Sequence, residues 1–192
     1  KVFSAIGVMS GTSMDGIDIA FLQSDGKSII QNKKFSYFEF DEHLYKKISN
    51  IIRFRPEKSE IELISKEFTT YIANLIECFL KEHVLDREKI DLVSFPGHTI
   101  FHDPDNSITQ QIGSPELLEE KLGIHTIGHF RIDDVARGGQ GAPLVPTFHD
   151  WKFSTADEVR VVLNLGGVAN ISVLDPQRSV TGFDTGPANS LL

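Results

Sequence analysis

The chain opens with an apolar run that meets a small, glycine-punctuated turn and then continues as a second run, GVMSGTSMDGIDIAF at residues 7–21. Residues 2–9 are predicted to form one strand, and the alternation of Ile17 and Ile19 with other residues predicts a second. An aromatic, extended run follows the next turn. Three consecutive strands of this kind require a sheet around which the rest of the domain is built.

Strands alternate with helices after this opening. The predicted elements are helices over 44–52 and 61–79, a helix between Ser114-Pro115 and Gly123, and short buried strands at 90–95 and 124–127. Such alternation predicts an α/β domain with a mixed sheet, whose later strands run parallel. We expect this domain to occupy residues 1–155.

The opening pattern returns in a second copy near the end of the chain. Apolar strands are predicted at 159–165, 170–174 and 180–183, with a glycine turn between the first two. Three strands with nothing to cover them do not make a complete domain. Residues 156–192 are therefore predicted to begin a second lobe that is incomplete, and the chain to be a fragment or truncated form of a longer protein.

Charge and hydropathy exclude several classes of partner. The net charge of −8 and the pI near 5.3 argue against a nucleic-acid surface, which is normally basic. No apolar run approaches the roughly 18 residues of a membrane span, and no leader pattern opens the chain, so we expect a cytoplasmic protein without membrane partners. In so acidic a chain, an anionic ligand needs backbone amides, a bound cation or a few placed arginines.

The turn GTSMDG has the residue types of a phosphate-binding segment. Its glycines allow close approach of the backbone, the hydroxyls of Thr12 and Ser13 can donate to phosphate oxygens, and Asp15 and Asp18 can hold Mg²⁺. It is not a Walker loop, because no lysine follows the glycines, nor a nucleophile elbow, because the final glycine is missing. A plain hairpin explains these residues equally well.

A second turn and an aspartate near the end of the chain carry the next candidates. NLGGVAN at 164–170 resembles the first turn, and Asp184 lies at a strand end between two glycines. Because little positive charge is nearby, a carboxylate so placed suits a general base. The alternative is an aspartate that caps a helix beginning at Pro187.

Arginines and glycines cluster in the middle of the chain. Arg131, Arg137 and the run GGQGAP at 138–143 are predicted to form a polar loop. An arginine there could bind a substrate carboxylate through two of its guanidinium nitrogens. The alternative is a surface loop with solvated charges.

The histidines allow a different chemistry. His98, His102, His129 and His149, with nearby aspartates, include enough ligands for a catalytic metal centre and thus for a metal-dependent hydrolase. His98 and His102, however, are predicted on either side of a strand end, where their spacing does not place them on one face.

Four stretches together resemble the anhydro-N-acetylmuramic acid kinases, which belong to the sugar kinase, Hsp70 and actin superfamily. They are GVMSGTSMDGID, FRIDDVARGGQGAPLVPTFH, LNLGGVANIS and TGFDTGPAN, and they occur in family order towards both ends of the chain. The resemblance implies an actin-like ATPase (ribonuclease H-like) lobe followed by the first strands of a second lobe. It also implies that ATP and Mg²⁺ bind in the cleft of the complete protein.

The same resemblance assigns roles to individual residues. Asp184 matches the family's base, and Arg131, with Gln140 nearby, is a candidate to bind the lactyl carboxylate of the substrate. Asp15 is the candidate metal ligand. The ATP-phosphate segment and its facing loop comprise Gly11, Thr12, Ser13, Met14, Asp15, Gly16, Ile17 and Asp18, with Gly166 and Gly167 opposite.

The implied substrate is 1,6-anhydro-N-acetylmuramic acid, a sugar recovered from cell-wall turnover. Its O6 carries no proton, so a base must activate water to attack C1 while O6 takes the γ-phosphoryl group of ATP. The products are N-acetylmuramic acid 6-phosphate and ADP. The resemblance further implies a homodimer for the full-length protein, which continues well beyond Asp184, so this chain alone is expected to turn over little.

Four positions depart from the usual family residues. Pro96, His98, His129 and Ala188 stand where histidine, glutamine, aspartate and glycine are usual. The first three are on the implied substrate side, so a non-catalytic sugar- or nucleotide-binding module is a further alternative.

Overall fold

The computed structural model describes residues 1–189, apart from the side chains of residues 30–33. Two compact units are present, one made of residues 1–103 and 108–130 and the other of residues 104–107 and 131 onward. The domain boundary expected between residues 155 and 156 stays a prediction. The last three residues of the expected segment 156–192 lie outside the described part.

The first unit is built on a five-stranded mixed sheet. Its strands are β1 (Phe3–Ser10), β2 (Gly16–Ser24), β3 (Ile29–Glu39), β4 (Leu92–Ser94) and β7 (Thr126–Ile127), in the order β3-β2-β1-β4-β7. β1, β2 and β3 form an antiparallel meander, whereas β4 is parallel to β1 and β7 is parallel to β4. This arrangement confirms the α/β class and the mixed sheet.

The helices of the first unit are α1 (Glu42–Phe54), α2 (Lys58–Glu82) and α3 (Pro115–Leu122). Side chains cap the N-termini of α1 and α3. Asp41 Oδ1 accepts a hydrogen bond from Leu44 N at 2.8 Å, and Ser114 Oγ accepts one from Leu117 N at 3.1 Å. Gly123 ends α3 in the left-handed conformation, with φ of 65°. Within residues 1–189, no helix is long and apolar enough to cross a membrane.

The core of the first unit joins the sheet to these helices. Strand alternation in β2 buries Ile17 and Ile19 completely, while Asp18 between them is half-buried. Phe68 and Ile72 of α2 are also fully buried in the same cluster. The turn between β1 and β2 is therefore attached to two strands that the core holds firmly.

A two-stranded hairpin in the first unit was not predicted from the sequence. It consists of β5 (His98–Asp103) and β6 (Ile108–Ile112). The prediction that His98 and His102 lie on either side of a strand end is wrong, because both lie on β5. Four of the six residues of β5 are polar and its two apolar residues are adjacent, so the strand lacks the alternation of apolar and polar residues by which a strand is recognised.

The second unit contains a three-stranded antiparallel sheet. Its elements are α4 (Phe130–Ala136, in this unit from Arg131 on), α5 (Pro146–Phe153), β8 (Arg160–Leu165), β9 (Val168–Leu174) and β10 (Thr181–Pro187), with the sheet order β10-β9-β8. The three strands predicted after Val159 are confirmed. The third continues to Pro187, however, so the prediction that Asp184 lies at a strand end is wrong. The prediction that Arg131 lies in a polar loop is wrong, because Arg131 belongs to α4 and the loop follows that helix.

The two faces of this second sheet differ in their surroundings. Val161, Leu163 and Leu165 of β8 are between 56% and 60% exposed. On the opposite face, Ser172 Oγ of β9 lies 2.8 Å from His149 Nδ1 of α5. Because alternate residues share a face, the even-numbered residues of β9 face α5.

The end of α2 provides a test of backbone strain. Val84 follows the helix with φ of 52°, and the bonds Val84 N to Lys81 O and Leu85 N to Leu80 O complete a Schellman motif. A β-branched residue is unfavourable at this φ, and the Val84 side chain is 89% exposed, so little packing is lost on its removal. We expect Val84→Gly to raise the free energy of unfolding by about 1 kcal/mol in chemical denaturation.

Gly123, which has the same backbone conformation after α3, offers the reverse change. Gly123→Ala should lower the free energy of unfolding by about 1 kcal/mol. A Val84→Gly variant that is less stable than the unmodified chain would contradict the assignment of strain to Val84.

Candidate functional site

The predicted phosphate segment is the tight turn that joins β1 to β2. Met14 N donates to Gly11 O at 3.0 Å, and Met14 has φ of 51°. Ser13 Oγ and Gly16 N donate to the same atom, Asp15 Oδ1, at 2.9 and 3.1 Å. The turn is thus stabilised by hydrogen bonds within it. Met14 is not a glycine and yet has a positive φ, and strained backbone of this kind is concentrated at functional sites.

Tyr37 of β3 holds this turn from the neighbouring strand, which the sequence analysis did not foresee. Its hydroxyl donates to Asp15 O at 2.6 Å. Its ring lies against Gly16 so closely that a Cβ at that position would be 2.2 Å from Cε2 of the ring. Glycine is required at residue 16 because the tyrosine occupies the space of a side chain.

We expect Gly16→Ala to displace the Tyr37 ring and break its bond to Asp15. The loss should lower the free energy of unfolding by about 1 kcal/mol, measured by denaturant titration. In a Tyr37→Ala background the same change should cost much less, because the clash is gone. Gly7→Ala is the matched control, since a Cβ at Gly7 meets no atom within 4 Å; equal costs in both backgrounds would contradict the contact.

Asp15 and Asp18 are the candidate cation ligands of the turn. Burial raises the pKa of Asp18, and the charge of Asp15 raises it further. A cation bound between them would offset both effects, and carboxylate oxygens are ligands that Mg²⁺ prefers. The residues therefore fit Mg²⁺. Among the other predicted residues, Thr12 is exposed, whereas the buried Ile17 could offer only its backbone to a ligand.

His98 is a core residue. It is fully buried, its Nδ1 lies 2.8 Å from Ser10 Oγ, and the rings of Phe40 and Phe68 pack edge-on against it. Burial lowers the pKa of His98 to about 4, so the ring is neutral at physiological pH. Among residues 1–189, no group of three or more His, Cys, Asp or Glu side chains could hold a metal ion. The structure gives the metal-dependent hydrolase hypothesis no support.

His129, a second departure from the usual family residues, pairs with a carboxylate in the same unit. Its Nε2 lies 2.8 Å from Glu116 Oε1, and the hydrogen bond from His129 contributes most to lowering the pKa of Glu116 to about 2. The histidine therefore has a carboxylate partner on α3.

In the second unit, the Gly166-Gly167 turn joins β8 to β9. Ala188 N donates to Gly167 O and Asn189 N donates to Gly166 O, both at 3.0 Å. The residues after β10 thereby fix this turn.

Asp184 and Arg131 interact electrostatically within the second unit. Burial lowers the pKa of Arg131, and the charge of Asp184, which is exposed on β10, opposes that effect. The hydrogen bond of the Arg131 side chain is to the backbone, because its Nη1 donates to Gly141 O at 2.7 Å. The roles expected of the two residues stay predictions.

Asp134, which was not predicted from the sequence as a site residue, organises the glycine loop after α4. Its Oδ2 accepts a hydrogen bond from Gly141 N at 2.7 Å, and a Cβ at Gly139 would lie 2.2 Å from the same oxygen. The loop wraps around this carboxylate and presents Gly141 O to Arg131. An aspartate just before a run of glycines was the available signal, because such a run offers free amides.

A cavity of about 290 Å³ lies beside this loop, within the second unit. Its lining includes Asp134, Gln140, Gly141, Pro143, Pro146 and Gly182. Gly182 precedes Asp184 by two residues on β10, so the two share a face of the sheet. Gln140 thus lines a cavity on the face of the sheet that carries Asp184.

The family comparison and the curated relatives agree on one family. The model of the anhydro-N-acetylmuramic acid kinase family matches residues 3–192. A kinase of that name from Paramagnetospirillum magneticum is 36% identical over 98% of this chain and 52% of its own length. The anhydro-N-acetylmuramic acid kinase from Pseudomonas fluorescens is 39% identical over 97% of this chain and 51% of its own length.

Resemblance to solved structures is more distant. A reductive activator for a corrinoid, iron-sulfur protein superposes with a TM-score of 0.48 at 14% identity, over 97% of this chain and 31% of that one. The chain spans about half the length of the curated relatives it matches. The family match nevertheless extends across nearly every residue, and the chain belongs to the anhydro-N-acetylmuramic acid kinase family.

Proposed function

We propose that the full-length protein of which this sequence is a part is an ATP-dependent sugar kinase acting on 1,6-anhydro-N-acetylmuramic acid. The observation that carries the proposal is the family match over residues 3–192, which includes all the candidate segments. The products would be N-acetylmuramic acid 6-phosphate and ADP, in the recycling of cell-wall sugars. A cytoplasmic location and a homodimer are part of the same proposal.

In the proposed reaction, Asp184 removes a proton from water while the water oxygen bonds to C1. The C1–O6 bond breaks, and O6 takes the γ-phosphoryl group as ADP leaves. A placed carboxylate base contributes about 10²- to 10⁴-fold to such a step. The exposure of Asp184 supports this role, since its carboxylate is accessible to a water and a substrate.

The two glycine turns would bind the phosphates of ATP, and Arg131 would bind the lactyl carboxylate with Gln140 beside the sugar. Gly11 to Asp18 would contribute amides and hydroxyls, and Gly166-Gly167 would contribute amides from the second unit. Asp15, with Asp18, would hold Mg²⁺. That ion, when bound, neutralises charge that develops on the transferring phosphoryl group.

The test uses the full-length protein with ATP, Mg²⁺ and the anhydro sugar in water enriched in ¹⁸O. We expect phosphorus NMR to show a sugar 6-phosphate and mass spectrometry to place one ¹⁸O on C1. Sugar opening without ATP, sensitive to chelation, would indicate a metal-dependent hydrolase instead. Binding of sugar and nucleotide without any turnover would indicate a non-catalytic binding module.

A further inference from the structure

Asn170 lies directly opposite Asp184 across the second sheet. The register pairs Asp184 of β10 with Asn170 of β9, and pairs Asn170 with Asn164 of β8 on its other side. Cross-strand partners project from the same face, with Cβ atoms roughly 4.5 to 5.5 Å apart. The even-numbered face of β9 is the one against α5, where His149 meets Ser172. The Asn170 amide is therefore a neighbour of the proposed base.

The amide oxygen of Asn170 is a buried acceptor that receives no hydrogen bond from the described residues. Oδ1 is shielded from solvent, and no group in residues 1–189 donates a hydrogen bond to it. Native proteins seldom leave such an atom unpaired, and the exceptions are often at functional positions. A group brought by a ligand, or an attacking water, can supply the missing O–H or N–H.

We propose that Asn170 Oδ1 accepts the second O–H of the nucleophilic water, whose first O–H faces Asp184; this inference rests on the proposed function. A water held by two acceptors at about 2.8 Å each separates them by about 4.5 Å, which a cross-strand pair can provide. With both hydrogens held, a lone pair of the water is aimed away from the sheet, towards C1.

The proposed step requires no proton change at Asn170. The water oxygen bonds to C1 and C1–O6 breaks, Asp184 takes one proton, O6 takes the γ-phosphoryl group, and ADP leaves. The other hydrogen stays on the product hydroxyl and is only oriented by the amide. An alcohol has a single O–H, which Asp184 alone can accept, whereas water has two. The second acceptor, Asn170 Oδ1, should therefore matter for attack by water and not for attack by an alcohol.

This distinction gives a test in the full-length kinase. Wild type and Asn170→Leu are assayed with ATP, Mg²⁺ and the anhydro sugar in water containing methanol, and the C1 hydroxyl and C1 methoxyl 6-phosphates are quantified. We expect Asn170→Leu to lower kcat for hydrolysis about 100-fold, with KM for ATP within twofold of wild type. Methanol transfer should fall much less, so the methoxyl-to-hydroxyl product ratio should rise at least fivefold.

Two further variants make the result specific. Asn164→Leu, on the other side of Asn170, should keep the wild-type ratio. Asn170→Asp keeps an acceptor oxygen, so its methoxyl-to-hydroxyl product ratio should stay within twofold of wild type. This variant also tests the inference if Asn170→Leu does not fold. An unchanged hydrolysis rate in Asn170→Leu, equal loss of both products, or a shifted ratio in Asn170→Asp would overturn the inference. A wild type that forms no sugar phosphate would instead overturn the proposed function.

Discussion

Replacing Asp184 by asparagine is expected to lower kcat of the full-length kinase by about 10²- to 10⁴-fold, because asparagine keeps the shape of the side chain but cannot take a proton. The exposed position of Asp184 means that folding should change little. Arg131 loses a charge that favours its ionised form, but it keeps its bond to Gly141 O. The expected result is thus a folded protein that binds its ligands and releases sugar phosphate very slowly.

Steady-state kinetics with both substrates measures this loss. Asp133→Asn is the matched control, because Asp133 is an exposed carboxylate on α4, and that variant should retain full activity. A kcat for Asp184→Asn above one tenth of the wild-type value would remove Asp184 as the base. A rise in KM with kcat unchanged would assign it to ground-state binding instead.

The first unit should lose stability in acid through His98. An unfolded chain protonates this histidine below its ordinary pKa of 6.5, whereas burial keeps the folded pKa near 4. Between these values the unfolded state binds more protons, so the free energy of unfolding falls as the pH falls from 6.5 towards 4 and then levels. A difference of this size corresponds to about 3 kcal/mol.

His98→Gln isolates this contribution, because glutamine cannot take the proton and can still hydrogen-bond Ser10 Oγ. Denaturant unfolding at several pH values should show that the variant loses about 3 kcal/mol less than wild type between pH 6.5 and pH 4. His43→Gln, at an exposed position on α1, should leave the wild-type dependence in place. Parallel curves for wild type and His98→Gln would show that the buried ring does not carry the acid sensitivity.

The elements predicted correctly are those whose signals are local. Alternation around Ile17 and Ile19 is enough to predict β2, and Gly123 marks the end of α3 with the only residue type that enters the left-handed region without strain. α4 and the β5–β6 hairpin were missed because they are short, with seven, six and five residues in α4, β5 and β6. Elements of this length contain too few repeats of a hydrophobic period for it to be recognised.

The site residues stay predictions, but part of their setting was predictable. Residue types indicated a glycine turn at Asp15 and left a plain hairpin open, and the structure has that turn between β1 and β2. The sequence could not indicate that Tyr37 covers Gly16, because the contact depends on the register of β2 with β3. Nor could it indicate that Phe40 and Phe68 enclose His98, since the three residues come from separate elements.

The turn between β1 and β2 has a consequence for the thermodynamics of binding. Ile17 and Ile19 leave water when the first unit folds, and that burial, together with the bond from Tyr37, already restricts the backbone near Asp15. The conformational entropy of this segment is therefore largely lost before any ligand arrives. A ligand that binds at the turn would meet a preorganised surface, so little of its intrinsic affinity would be spent on ordering the protein.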